Sequence, residues 1–222
     1  MEFLRLRPGQ GGYLVLLWTL GALLLLRPMI EEFGKFPWLL PLSFSVVMLA
    51  IVSLVSNRRH HVIVVGILAL IAVVGEWSRL TDYGLNQVIP GLAGMIAFIW
   101  IAVVLAKDVF RDRETVSADV IYGGINVYLL AAIAFAAAYK VQLLLVPDSI
   151  SGLAAEPTIS DTLYYSFITM TTLGYGDITP VSANARMLAS TEAVFGQLYI
   201  AVLLAKLVAT HISGKAGSGS QS

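Results

Sequence analysis

The 222-residue chain contains no cysteine, which excludes a disulfide framework, a thiolate nucleophile and any Cys-ligated metal. Charge is scarce as well: 13% of residues are charged, and 14 basic residues against 14 acidic ones leave no net charge. Without surplus basic charge the chain has nothing to neutralise phosphates with, so nucleic acid is not an expected partner. No His-rich metal motif, nucleophile elbow or phosphate loop is present, so an enzyme is not expected and no cofactor is implied. What the chain has in abundance is apolar sequence. At 58% hydrophobic residues and a mean hydropathy of +0.82, neither a water-soluble globule nor a disordered chain fits, and the natural solvent is a bilayer.

A membrane helix needs about 20 mostly apolar residues. Six such runs are expected: Gly12 to Ile30, Trp38 to Ser56, His61 to Gly75, Val88 to Ala106, Val120 to Val146 and Ala183 to Thr210. Between the last two lies Ser160 to Thr172, apolar and aromatic but too short to cross. It reads as re-entrant, and such backbone is tolerated at membrane depth only where protein buries it or water lines it.

Six spans put both termini on one side. Nine of the 14 basic residues (Arg5, Arg7, Arg58, Arg59, Lys107, Arg111, Arg113, Lys206 and Lys215) fall on that side, which the positive-inside rule makes cytoplasmic. The opposite face carries five basic residues against eight acidic ones, an excess that would concentrate cations at an outer mouth. The first apolar run leads into Arg27-Pro28 and acidic residues, so it is not expected to be a cleaved signal peptide. Residues 214–222 read as a flexible or appended tail.

The stretch Thr169-Met-Thr-Thr-Leu-Gly-Tyr-Gly-Asp177 closely resembles the T-x-x-T-x-G-Y-G-D signature of tetrameric pore-loop potassium channels. The resemblance is strongest from about Ser117 to His211, and Leu173 stands where Val or Ile is commoner. It implies an all-α integral membrane protein of six helices plus a re-entrant pore helix and filter, assembled as a homotetramer. The filter would be Thr172, Leu173, Gly174, Tyr175 and Gly176. Potassium, as permeant ion, would be held by the backbone carbonyls of Thr172 to Tyr175 and by the Thr172 hydroxyl. A filter must point successive carbonyls at one axis. That needs dihedrals L-residues dislike, which Gly174 and Gly176 supply.

The same resemblance assigns filter support to Tyr164, Tyr165, Thr171 and Asp177. Ser160 or Asp161 would cap the pore helix, aiming its C-terminal carbonyls at the pore. Gly196, 20 residues after Gly176, resembles the hinge glycine of the last span, below which Val202, Leu203 and Leu207 would bring apolar side chains to the axis. Two departures stand out. Ile168 occupies the place where some members carry a glutamate paired with the filter aspartate, and no Pro-x-Pro bend interrupts the last span.

Glu192 is an intramembrane carboxylate and therefore a functional candidate: it either lines the cavity or sits behind the pore helix, and Gln197 admits the same two readings. The fourth run carries no arginine, so residues 1–106 read as a four-helix scaffold resembling a voltage sensor without its charges. Residues 107–119 read as a cytoplasmic linker and 120–213 as the pore domain. Within the linker, Lys107 to Glu114 would either couple the outer spans to the pore or lie as a solvated interfacial helix. Arg58-Arg59-His60-His61 reads as a basic loop at lipid headgroups, with a pH or metal sensor as the sharper alternative.

The function expected is passive, potassium-selective conduction without strong voltage gating, in a plasma or bacterial inner membrane. Its rivals are a weakly selective cation channel and a non-conducting sensor or subunit that keeps the pore fold. The sequence names no regulatory partner.

Overall fold

The computed structural model describes residues 11–33, 36–54, 59–78, 87–111, 117–154 and 157–219. Arg5, Arg7, Arg58, Arg113 and Glu114 lie outside the described residues. Among the described residues the regular elements are helices and one pair of two-residue strands: α1 Gly12–Phe33, α2 Leu39–Leu54, α3 Arg59–Ser78, α4 Val88–Val109, α5 Ala118–Leu145, β1 Ile150–Ser151, α6 Ile159–Met170, β2 Thr179–Pro180 and α7 Ala183–Gly219.

Five of the helices (α1, α3, α4, α5 and α7) are long and apolar enough to cross a membrane. α2 is equally apolar, but its 16 residues reach only about 24 Å against a hydrocarbon core of about 30 Å. Among the described residues, the six expected spans correspond to five full-length helices and one shorter one. The chain is a membrane protein by this criterion: its helices expose apolar side chains such as Leu25, Leu49, Leu70, Ile89 and Leu198 to their surroundings.

The first four helices pack on one another and share a core with α5. Leu16 and Leu20 of α1, Met48 and Ile51 of α2, Ile101 and Leu105 of α4 and Leu130 of α5 share one core. α4 packs most extensively on α5. Polar ties reinforce the seam: Tyr13 donates to Asp108 at 2.6 Å, and the buried Asn126 amide donates to the Tyr13 carbonyl at 2.7 Å. At the other end of α1, Arg27 is buried and binds Glu31 one turn on at 3.1 Å and Glu76 of α3 at 2.6 Å. A buried cation would be costly alone, and two carboxylates compensate it.

The pair β1 and β2 positions the site. Ile150 lies opposite Pro180 and Ser151 opposite Thr179, so the segment entering α6 is tied to the segment leaving residues 172–177. Gly152 closes this junction. A Cβ there would lie 1.9 Å from the Asp177 carbonyl oxygen, and its φ of +85° is one that L side chains rarely adopt.

Candidate functional site

α6 is a 12-residue helix with both ends built from local sequence. Its N-cap is Thr158, not Ser160 or Asp161. The Thr158 hydroxyl accepts from the Asp161 backbone N–H at 3.2 Å, and the Asp161 carboxylate accepts from the Thr158 N–H at 2.7 Å. This is a reciprocal capping box, in which Asp161 takes the third helical position, and the helix begins earlier than the apolar pattern does.

The far end turns directly into the glycine-rich segment. The Leu173 N–H reaches back to the Ile168 carbonyl at 2.9 Å and the Thr172 N–H to the Thr169 carbonyl at 3.0 Å. That pairing is the Schellman helix stop, whose left-handed residue is usually glycine. Here it is Thr172, at φ +57°. A β-branched residue in this region is strained by about 1–3 kcal/mol, and such strain concentrates at functional sites. Positive φ recurs at Gly174 (+52°) and Gly176 (+82°), with Leu173 and Tyr175 between them at negative φ. Five consecutive residues thus alternate in handedness, whereas a strand keeps one.

The aromatic pair on α6 divides its work. The Tyr164 hydroxyl donates to Asp177 at 2.6 Å, so the aspartate finds a partner on the same helix although Ile168 replaces a glutamate. That hydrogen bond holds the Asp177 carboxyl below the usual carboxylate range. Tyr165 faces the other way and packs on Tyr139 of α5, ring centroids 4.7 Å apart. Thr171 donates its hydroxyl to the Phe167 carbonyl at 2.6 Å and finishes the helix. Leu173 and Tyr175 are 55% and 68% exposed within one chain, so most of the Tyr175 side chain and about half of Leu173 are uncovered by it.

α7 meets the rest of the chain through a narrow stripe of Ala185, Ala189, Glu192, Gly196 and Tyr199, spaced four and three residues apart. Small residues let it approach closely. Gly196 lies against the C-terminus of α6, where a Cβ would stand 2.2 Å from the Met170 carbonyl oxygen. α7 continues unbroken through this position. One residue on, the Gln197 amide donates to the Thr172 hydroxyl at 3.2 Å. Tyr199 donates to the Gly124 carbonyl of α5 at 2.8 Å.

Glu192 is fully buried behind α6 within a single chain. Tyr139 donates to its Oε2 at 2.5 Å, and Ser166 Oγ lies 2.5 Å from its Oε1 and 2.8 Å from the Ala132 carbonyl. Within one chain, then, Glu192 lies against α6 and α5. Val202 is exposed and Leu207 half-buried, but Leu203 packs over Gly124 of α5 and so does not share their direction. Thr158 was missed although Thr158-x-x-Asp161 is a local capping signal, whereas Tyr139 and Ser166 carried no sequence signal: a tyrosine and a serine in apolar surroundings become a site only when three helices converge.

Residues 127–212 match the family model described as "Ion channel". The chain is 40% identical over 62 residues to Two-pore potassium channel 1 of Arabidopsis thaliana, which covers 28% of this chain and 17% of that protein. It is 29% identical over 104 residues to Two pore potassium channel a of Oryza sativa subsp. japonica, covering 47% and 27%. The chain thus aligns with about a sixth to a quarter of these relatives' own length. No solved structure matches it. The matched family is one of channels, not enzymes, and residues 127–212 of this helical membrane protein are similar to that family and to segments of plant two-pore potassium channels.

Proposed function

We propose that the chain is one subunit of a homotetrameric channel that conducts potassium passively through Thr172, Leu173, Gly174, Tyr175 and Gly176. The observation that carries this reading is the alternation of φ through these residues, immediately after α6. Alternating left- and right-handed residues bring successive carbonyls to one side of the chain, where a strand would send them to two. Carbonyl oxygens in such a column replace an ion's hydration shell. α6 serves as the pore helix, its C-terminal dipole directed at the segment that follows it.

Fourfold assembly is supported by what one chain leaves uncovered. Of the most apolar 18-residue stretch of α5, 61% is buried within the chain; of that of α7, 11%. Val194, Leu198, Val202 and Val208 lie outside the stripe that α7 packs on α5 and α6, and Leu173 and Tyr175 are likewise uncovered. One chain supplies one carbonyl column, and an axis needs several. Both termini lie on the cytoplasmic side in this arrangement, with the acidic face at the outer mouth. α1–α4 form the peripheral scaffold, and residues 107–119 link it to the pore.

The test is purified protein in liposomes with potassium and sodium gradients imposed in turn. Reversal potentials are expected to follow potassium. Equal permeability to the two ions would identify a weakly selective channel, and no flux above empty vesicles would identify a non-conducting subunit.

Voltage dependence should be slight. α4 has charge only in its last turn, at Lys107 and Asp108, and the buried Arg27 is held by two carboxylates. A helix without charge cannot collect the about 2.3 kcal/mol per elementary charge that 100 mV supplies. A steep conductance–voltage curve in symmetrical potassium without blocking ions would overturn this.

A further inference from the structure

The cluster around Glu192 can be read by counting hydrogens. It contains three short contacts: Tyr139 Oη to Glu192 Oε2, Ser166 Oγ to Glu192 Oε1, and Ser166 Oγ to the Ala132 carbonyl oxygen. An ionised carboxylate and a carbonyl only accept, and a serine hydroxyl owns one hydrogen. With Glu192 ionised, Tyr139 fills the first contact and Ser166 fills one of the other two. The remaining contact would then be oxygen against oxygen with no hydrogen between them. With Glu192 protonated on Oε1, the carboxyl donates to Ser166, Ser166 donates to Ala132 and Tyr139 donates to Oε2. Three hydrogens then serve three contacts.

The surroundings agree with the count. Glu192 is fully buried and sits among Ala132, Tyr139 and Ser166. Among the described residues, the ion pairs join Arg27 to Glu31 and Glu76, and none reaches Glu192. The titratable side chains facing it are Tyr128 and Tyr139 from α5 and Tyr165 from α6, phenols that carry no charge near neutrality. α7 brings no other charged residue within a turn of it, and Lys140, next to Tyr139, donates to the Pro157 carbonyl. A buried carboxylate without a cation is costly enough that the group takes up a proton instead.

We propose that Glu192 is a neutral acid in the folded protein and a positioning residue for the pore: its carboxyl O–H, donating a hydrogen bond to Ser166, fastens α6 to α5 and α7 behind the residues 172–176. The fold holds a proton that the unfolded chain releases at neutral pH, so raising the pH favours unfolding and loosens this junction.

The test uses the purified full chain and does not depend on conduction. Infrared spectra of protein labelled with 13C-glutamate are expected to show a protonated-carboxyl band at neutral pH, lost in Glu192→Gln. The thermal transition should fall as the pH rises above the ordinary carboxylate range, for as long as the folded chain keeps the proton, and this fall should be lost in Glu192→Gln, whose amide donates to Ser166 and accepts from Tyr139 as the neutral acid does. Absence of the band at neutral pH overturns the proposal, as does an equal fall with rising pH in Glu192→Gln. Tyr139→Phe keeps the test open if that variant does not assemble. Removing the hydrogen bond to Oε2 must shift the band, and a band indifferent to it is not Glu192 and also overturns the assignment.

Discussion

Gly196→Ala is expected to destabilise the protein and to abolish conduction together. The new Cβ would stand 2.2 Å from the Met170 carbonyl oxygen, 2.8 Å from Met170 Cγ and 3.0 Å from its carbonyl carbon. Two of these are backbone atoms at the end of α6, so no rotamer change relieves the contact. Met170 is itself fully buried, packed with Ala131 and Ala132 of α5, and cannot retreat. Overpacking of this kind costs about 1–3 kcal/mol per site, in each chain of an assembly. The displaced backbone is the one that starts the Schellman turn at Thr172, and Gln197 would lose its reach to the Thr172 hydroxyl. Thermal unfolding and potassium flux measured on the same preparation check this. If Gly196 were instead a pure hinge, alanine would change open probability while leaving the thermal transition and selectivity unaltered.

Gly174→Ala is expected to do the opposite: conduction lost, stability nearly kept. Gly174 has φ +52° and no atom of its own chain within 4 Å of where a Cβ would be. The local cost of holding alanine in the left-handed region is about 1–2 kcal/mol, well inside the margin of a folded protein. The relaxation open to alanine is a return to negative φ. That breaks the alternation running from Thr172 to Gly176 and turns a carbonyl away from its neighbours. In the proposed tetramer, a column with one oxygen missing in every subunit would no longer replace the hydration shell. Flux in liposomes is expected to disappear or lose its preference for potassium, while oligomeric state and thermal transition remain close to those of the unmodified chain. Normal selective flux in Gly174→Ala would remove the case for residues 172–176 as the filter. Comparing the two glycines separates packing from backbone conformation, because each substitution adds the same methyl group.

Much of this protein was legible as sequence because its main constraints are local. Apolar runs of about 20 residues follow from bilayer thickness alone, and five helices of that kind are present. The alternating backbone at 172–176 needs glycine at set positions, so Thr172-Leu173-Gly174-Tyr175-Gly176 announces itself without any tertiary contact. Even the start of α6 was local, although the reading one turn too late took Ser160 or Asp161 for its cap. Thr158 and Asp161 satisfy each other across three residues, ahead of the first apolar position.

Tertiary structure decided what the intramembrane polar groups do. A glutamate at position 192 is equally compatible with a cavity and with a buried junction until the rotation of α7 is known. The stripe from Ala185 to Tyr199 sets that rotation by turning small residues towards α5 and α6. Asp177 meets Tyr164 rather than a glutamate, and Gly196 serves close approach to Met170, because α6, α7 and the β1–β2 tie converge there. Backbone conformation is encoded over a few residues and reads directly from residue type. The partner of a buried polar side chain is chosen by helices whose packing depends on residues 26 to 53 positions away, as Ser166 and Tyr139 are from Glu192.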